Sequence, residues 1–236
     1  MKGMYLDIIL FSLGTITASM VLTFRLLQTL RPVPHRPTDV MDMSAVKWRT
    51  GDIILYHSNA YINTFANGKW SHVGMVCIGV SGVPFVFDLT GTRGVCGIRP
   101  LIPEIISELW HGDRVVAFRR ITPSPDRRGI KRYIRYLIAT KVTYDHLYWR
   151  VAFRRIFGWV FPLETEDPAA KINNRSICSS VIVRVLQQNG VVQESISSFD
   201  ILPHDFGERI PSRIPLTTKY KWGPVIFLRM LALQQK

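Results

Sequence analysis

At 236 residues and 47% hydrophobic side chains, the chain is long enough for one well-cored domain with appendages, too short for two enzymatic domains, and too apolar to be disordered. Thirty Lys and Arg against 17 Asp and Glu give a formal charge of +13, so the surface is strongly basic and its partners are expected to be anionic. The three cysteines, Cys77, Cys96 and Cys178, lack CxxC or metal-finger spacing, which argues against a disulfide framework and structural zinc; no cofactor is expected, and a reducing compartment fits best.

Residues 8–24 carry no charge, and the apolar run continues through Leu26, Leu27 and Leu30 past Arg25, which can snorkel to an interface. An uncleaved membrane anchor over residues 1–30 is expected rather than a secretory leader. Lys2 is nearly cancelled by Asp7, and Thr17-Ala18-Ser19 makes a weak cleavage site. Positive charge follows the span at Arg25, Arg31, Arg36, Lys47 and Arg49, which predicts a single-pass protein with its body on the cytoplasmic side. Pro32, Pro34 and Pro37 make residues 31–43 a stiff linker, so the folded domain is expected over 44–236.

Residues 51–57 (GDIILYH) follow a turn and predict a strand buried on both faces. After a polar loop, residues 71–80 (SHVGMVCIGV) resume a strand with His72 at its head. A turn at 81–84 leads into FVFDL, where alternation puts Phe85, Phe87 and Leu89 on one face and Val86 and Asp88 on the other. His72 and Asp88 are thereby expected on neighbouring antiparallel strands. A short strand at 95–99, a helix at 101–110 and an outer strand at 114–121 come next. Residues 125–140 read as a helix with Ile130, Ile134, Leu137 and Ile138 on one face and Arg127, Arg128, Lys131, Arg132 and Arg135 on the other. The aromatic and basic stretch 144–161 fits either an amphipathic helix or a loop lining a cleft, and residues 222–231 read as a closing strand.

In residues 177–186 (ICSSVIVRVL), Val181, Val185 and Leu186 recur at helical spacing and Asn189-Gly190 supplies the stop. Cys178 therefore falls in the first turn, where unpaired N–H groups and the positive end of the helix dipole favour the thiolate that attacks carbonyls. Position alone leaves open that Cys178 is an inert buried side chain.

The order of these pieces (GDIILY, SHVGMV, FVFD, then the ICSSVIVRVL helix) resembles the papain-like NlpC superfamily in its circularly permuted branch, the branch of YiiX-like proteins, poxvirus members and relatives of lecithin retinol acyltransferase. In ordinary papain-like enzymes the cysteine helix precedes the histidine strand. The resemblance runs from about Trp48 to Asp205, taking in Tyr144-Asp145 and Leu202-Pro203-His204-Asp205. It implies an α+β, circularly permuted papain-like (NlpC-type) fold, a small antiparallel sheet or open barrel with a packed catalytic helix across the sheet edge. It also implies Cys178 as nucleophile, His72 as general base and Asp88 as the group orienting the imidazole, although Asp88 departs from the Glu, His, Gln or Asn common there. His57, His111, His146 and His204 have no comparable setting, and Cys77 and Cys96 are expected to be packing residues.

The implied activity is that of a thiol hydrolase (peptidase or amidase) or acyltransferase working on an amide or ester. Bacterial members suggest peptide or peptidoglycan amides, while the acyltransferase relatives suggest lipid esters. The expected span and basic surface favour membrane lipids as partner and a lipid or lipid-linked substrate. A catalytically inactive, membrane-anchored binding protein of the same fold is the alternative, motivated by Asp88. Specific nucleic-acid binding is not expected, because no zinc finger, helix-turn-helix or RNA-recognition motif accompanies the charge.

Overall fold

Ile53, Ile54, Leu55 and Tyr56 are all buried, so both faces of the strand they form must be covered. In the computed structural model, which describes residues 40–57, 70–110, 114–145, 174–207 and 214–230, that strand lies at the centre of a seven-stranded sheet. The elements in chain order are β1 Val40–Asp42, β2 Ile53–His57, β3 His72–Ile78, β4 Pro84–Leu89, β5 Cys96–Pro100, α1 Leu101–Trp110, β6 Val115–Thr122, α2 Arg127–Ala139, β7 Thr143–Tyr144, β8 Arg175–Ser176, α3 Cys178–Gln188 and β9 Lys221–Arg229. The sheet order is β1-β9-β6-β2-β3-β4-β5, antiparallel except for the β1–β9 pair, and β7 and β8 make a separate parallel pair.

Alternation sends the two halves of each central strand into different cores. Ile53, Leu55, Val73, Met75, Phe87 and Leu89 pack with Ile130, Ile134 and Leu137 of α2 and with Val181, Ile182, Val185 and Leu186 of α3. On the opposite face, Ile54, Tyr56, Val76, Val86, Val116 and Phe118 pack with Leu101 and Ile105 of α1 and with Val46. Each such fully buried side chain contributes about 1.5–3 kcal/mol relative to leaving it exposed.

Three placements differ from the sequence expectations. The strand expected at 114–121 as an outer one is interior β6, flanked by β2 and β9. Its Arg119 is buried because Nε donates to Gly223 O at 2.9 Å, Nη1 donates to Phe206 O at 2.8 Å, and the guanidinium lies over Trp222. Helix α3 lies over β3 and β4 on the sheet face rather than across its edge, because its apolar side is wide enough to cover two strands. The sheet also begins upstream of Ser44, since Val40–Asp42 pairs with β9.

The apolar run 8–24, most of the proline-rich stretch and the segment 146–161 lie outside the described residues. The chain divides into units Met1–His35 and Arg36–Lys236, and the described residues all fall in the second. Among them no helix is long and apolar enough to cross a membrane.

Candidate active site

Helix α3 begins at Cys178. Ile177 occupies the N-cap with extended backbone (φ −113°, ψ 166°) and, being apolar, gives the first turn no side-chain cap. Asp126 does the opposite for α2, accepting from the amides of Arg128 and Gly129, each at 3.0 Å. Cys178 thus stands at the positive end of a helix whose first amides are not occupied by a capping side chain.

Two serines after the cysteine fix that turn. Ser179 Oγ donates to Ile201 O at 2.6 Å, and Ser180 Oγ bonds Ser198 Oγ at 3.1 Å, which ties the start of α3 to residues 198–201, just ahead of the Leu202–Asp205 segment. Within that segment, fully buried Asp205 accepts from Leu202 N at 2.7 Å and lies 3.4 Å from His204 Nε2. On the other flank, Asp145 N donates to Ser176 O at 2.7 Å, so Tyr144-Asp145 runs beside the residues leading into Cys178.

His72 opens β3 and Asp88 sits near the end of β4. The register Met75↔Phe87 places Gly74 across from Asp88, so His72 and Asp88 are diagonal neighbours on one face. His72 Nε2 lies 2.9 Å from Asp88 Oδ2. The imidazole is 22% exposed and Asp88 only 2%. Gly74 makes room for this diagonal: a Cβ there would meet Val86 Cγ2 at 2.6 Å and Asp88 Cβ at 3.6 Å. Tyr56, on the strand beside His72, packs against its ring with centroids 5.5 Å apart.

Cys178 lies near enough to His72 for its sulfur to act on the imidazole electrostatically. Burial disfavours the imidazolium, but the Cys178 sulfur and then the Asp88 carboxylate outweigh it and raise His72 to about 10. Burial likewise works against the Asp88 carboxylate, yet its bonds to His72 and Arg99 hold it below the usual carboxylate range. With Nε2 engaged by Asp88, the ring nitrogen left for the thiol is Nδ1. Burial pushes Cys77 and Cys96 up to about 12, with the Asp88 charge adding to the effect at Cys96. All three cysteines are free and buried, Cys178 with 3% exposure.

Sequence reasoning passed over Arg99 and Glu104. Arg99 bonds Asp88 through Nη2 and Glu104 through Nη1. The signal that places it is the β4–β5 register, which pairs Val86 with Arg99 and Asp88 with Gly97 and so puts Arg99 on the Asp88 face. Tyr56 was also missed; its buried hydroxyl has no hydrogen-bond partner among the described residues.

The sequence matches no family model and no curated protein. Among solved structures the chain is similar to the metalloprotein YiiX from Escherichia coli O157:H7, with a TM-score of 0.42 and 18% identity over 77% of this chain and 89% of that one. Among the described residues, no three His, Cys, Asp or Glu side chains are grouped to hold a metal ion.

Proposed function

We propose that this chain is a cysteine-dependent hydrolase or acyltransferase that cleaves an amide or ester through an acyl-cysteine intermediate. The observation that carries the reading is the 2.9 Å contact between His72 Nε2 and Asp88 Oδ2, in a histidine that is also coupled to a cysteine at a helix N-terminus. Nucleophile, base and orienting group are the parts this chemistry needs.

In the proposed cycle the Cys178 thiolate attacks the carbonyl carbon, forming a C–S bond and an oxyanion that faces the uncapped amides of the first turn of α3. His72 gives its Nδ1 proton to the departing amine or alkoxide as the C–N or C–O bond breaks. Neutral His72 then takes a proton from water, for hydrolysis, or from an acceptor hydroxyl or amine, for transfer. The nucleophile so formed attacks the thioester and the thiolate leaves. Asp88 keeps the Nε2 side of the ring occupied throughout.

Membrane attachment through residues 1–30, a cytoplasmic position for the body and a lipid or lipid-linked substrate belong to the same proposal. They are supported by the uncharged run 8–24 and the positive charge that follows it. The non-catalytic alternative drew on the unusual Asp88, and an Asp88 bonded to His72 no longer favours it. Incubation with a panel of acyl esters and amides tests the activity: a thioester on Cys178, trapped and mapped by mass spectrometry, supports it. Turnover that survives Cys178→Ala would rule it out.

A further inference from the structure

Resting on the thiol-chemistry reading above, we propose that Arg99 is a positioning residue for the site, holding Asp88 so that His72 keeps its Nδ1 edge toward Cys178. Arg99 Nη2 bonds Asp88 Oδ2, the same oxygen that His72 Nε2 contacts, while Nη1 bonds Glu104 Oε1 on α1. The bridge is most shielded at its Asp88 end: the Arg99 side chain is 12% exposed and Asp88 2%, against 23% for Glu104.

A buried carboxylate with one partner can rotate about its Cβ–Cγ bond and carry that partner with it. A second charged donor on the same oxygen fixes Oδ2 where the two bonds meet, and so fixes the ring. Arginine suits the task because its planar fork reaches two carboxylates at once. Charge is arranged to the same end. Asp88 and Glu104 together carry two negative charges and Arg99 one positive, which leaves one negative charge for an imidazolium at His72. Without Glu104, the guanidinium would repel the cation it helps to orient.

A plain structural role, in which the ion pair only pins α1 to β5, makes a different prediction, and the full-length chain separates the two. The readouts are the alkylation rate of Cys178 by iodoacetamide and the side-chain 15N resonances of His72. The variants are Arg99→Met, Arg99→Lys, Asp88→Asn and the Arg99→Met/Asp88→Asn double. Arg99→Met should slow alkylation by roughly tenfold, the scale of one lost charge-assisted hydrogen bond, and should shift the His72 Nε2 resonance. Arg99→Lys should recover part of the rate and keep the chain folded if the Met variant is unstable. In the double variant alkylation should be no slower than in Asp88→Asn alone, because Arg99 acts through Asp88.

If Arg99→Met and Arg99→Lys both leave rate and resonances at their wild-type values, or if the two single losses multiply in the double variant, Arg99 only anchors α1 and the inference is overturned. That result is distinct from failure of the thiol reading, which would appear in the wild-type chain as a Cys178 no more reactive than Cys77 and Cys96.

Discussion

His72 Nε2 meets Asp88 Oδ2 at 2.9 Å along the diagonal of two antiparallel strands, across a position where Gly74 contributes no side chain. The contact depends on that empty position. It lets β4 bring Val86 and Asp88 close against β3 while the imidazole leans over the gap.

Gly74→Ala should therefore disturb the site as well as the core. The added methyl would meet Val86 Cγ2 at 2.6 Å and Phe87 O at 3.2 Å, and neither strand can move away without shifting its neighbours. Overpacking of this kind costs about 1–3 kcal/mol, so the urea midpoint should fall, and Cys178 labelling should slow as His72 and Asp88 are pushed apart. An unchanged midpoint would mean that β4 gives way freely there.

The pH dependence of stability should carry the signature of this pair. His72 is raised above its unfolded value, so its contribution is fully present below about pH 6.5 and is lost as pH rises through about 10. Asp88 is lowered, so its contribution is present above the unfolded carboxylate value and is lost as pH falls through its depressed folded value. Denaturation of the wild type and Cys178→Ser from pH 3 to 10 checks the coupling. With serine in place of the sulfur, the His72 contribution should be smaller and its loss on the alkaline side should be complete at lower pH.

Asp52 should behave in the opposite sense. Burial raises it to about 6 against the pull of Arg120, 3.6 Å away, so the folded chain holds its proton more tightly than the unfolded chain does. The Asp52 contribution to stability then falls as pH rises from about 4 through about 6. Asp52→Asn, which can still accept from Arg49 N, should be neutral near pH 4 and stabilising by roughly 1–3 kcal/mol at pH 8. Equal effects at both pH values would contradict this.

Much of the frame was legible in the sequence because periodicity and punctuation agree. Val181, Val185 and Leu186 at helical spacing, followed by Gly190 at φ 63°, bound the helix that starts at Cys178, and alternation in FVFDL correctly sorted Val86 and Asp88 from Phe87 and Leu89. What escaped depends on register and layering. Arg99 and Glu104 are placed by how β5 pairs with β4 and how α1 folds back, neither of which a local pattern encodes. β6 read as an outer strand from alternation over 114–121, yet Arg119 is buried on carbonyls of Gly223 and Phe206 that are distant in sequence.

Truncation tests the proposed membrane anchor. Because Val40–Asp42 pairs with β9, a chain starting at Arg36 keeps β1, whereas one starting at Ser44 loses it and uncovers the β9 edge. The longer truncation product should be folded, more stable than the shorter, and absent from membranes washed with high salt. If it stays bound after that wash, residues 1–35 are not the sole anchor and the body of the chain also holds the membrane.

The most direct test of thiol chemistry at this site is competitive alkylation of the folded full-length chain at neutral pH with iodoacetamide, a probe small enough for a cysteine with 3% exposure, followed by mapping of the modified residues. Cys178 is predicted to react well ahead of Cys77 and Cys96, whose thiols burial keeps protonated, and His72→Ala is predicted to slow it strongly while Asp88→Asn slows it less. If all three cysteines react at one slow rate and His72→Ala changes none of them, Cys178 is not an activated nucleophile and the account of thiol chemistry fails.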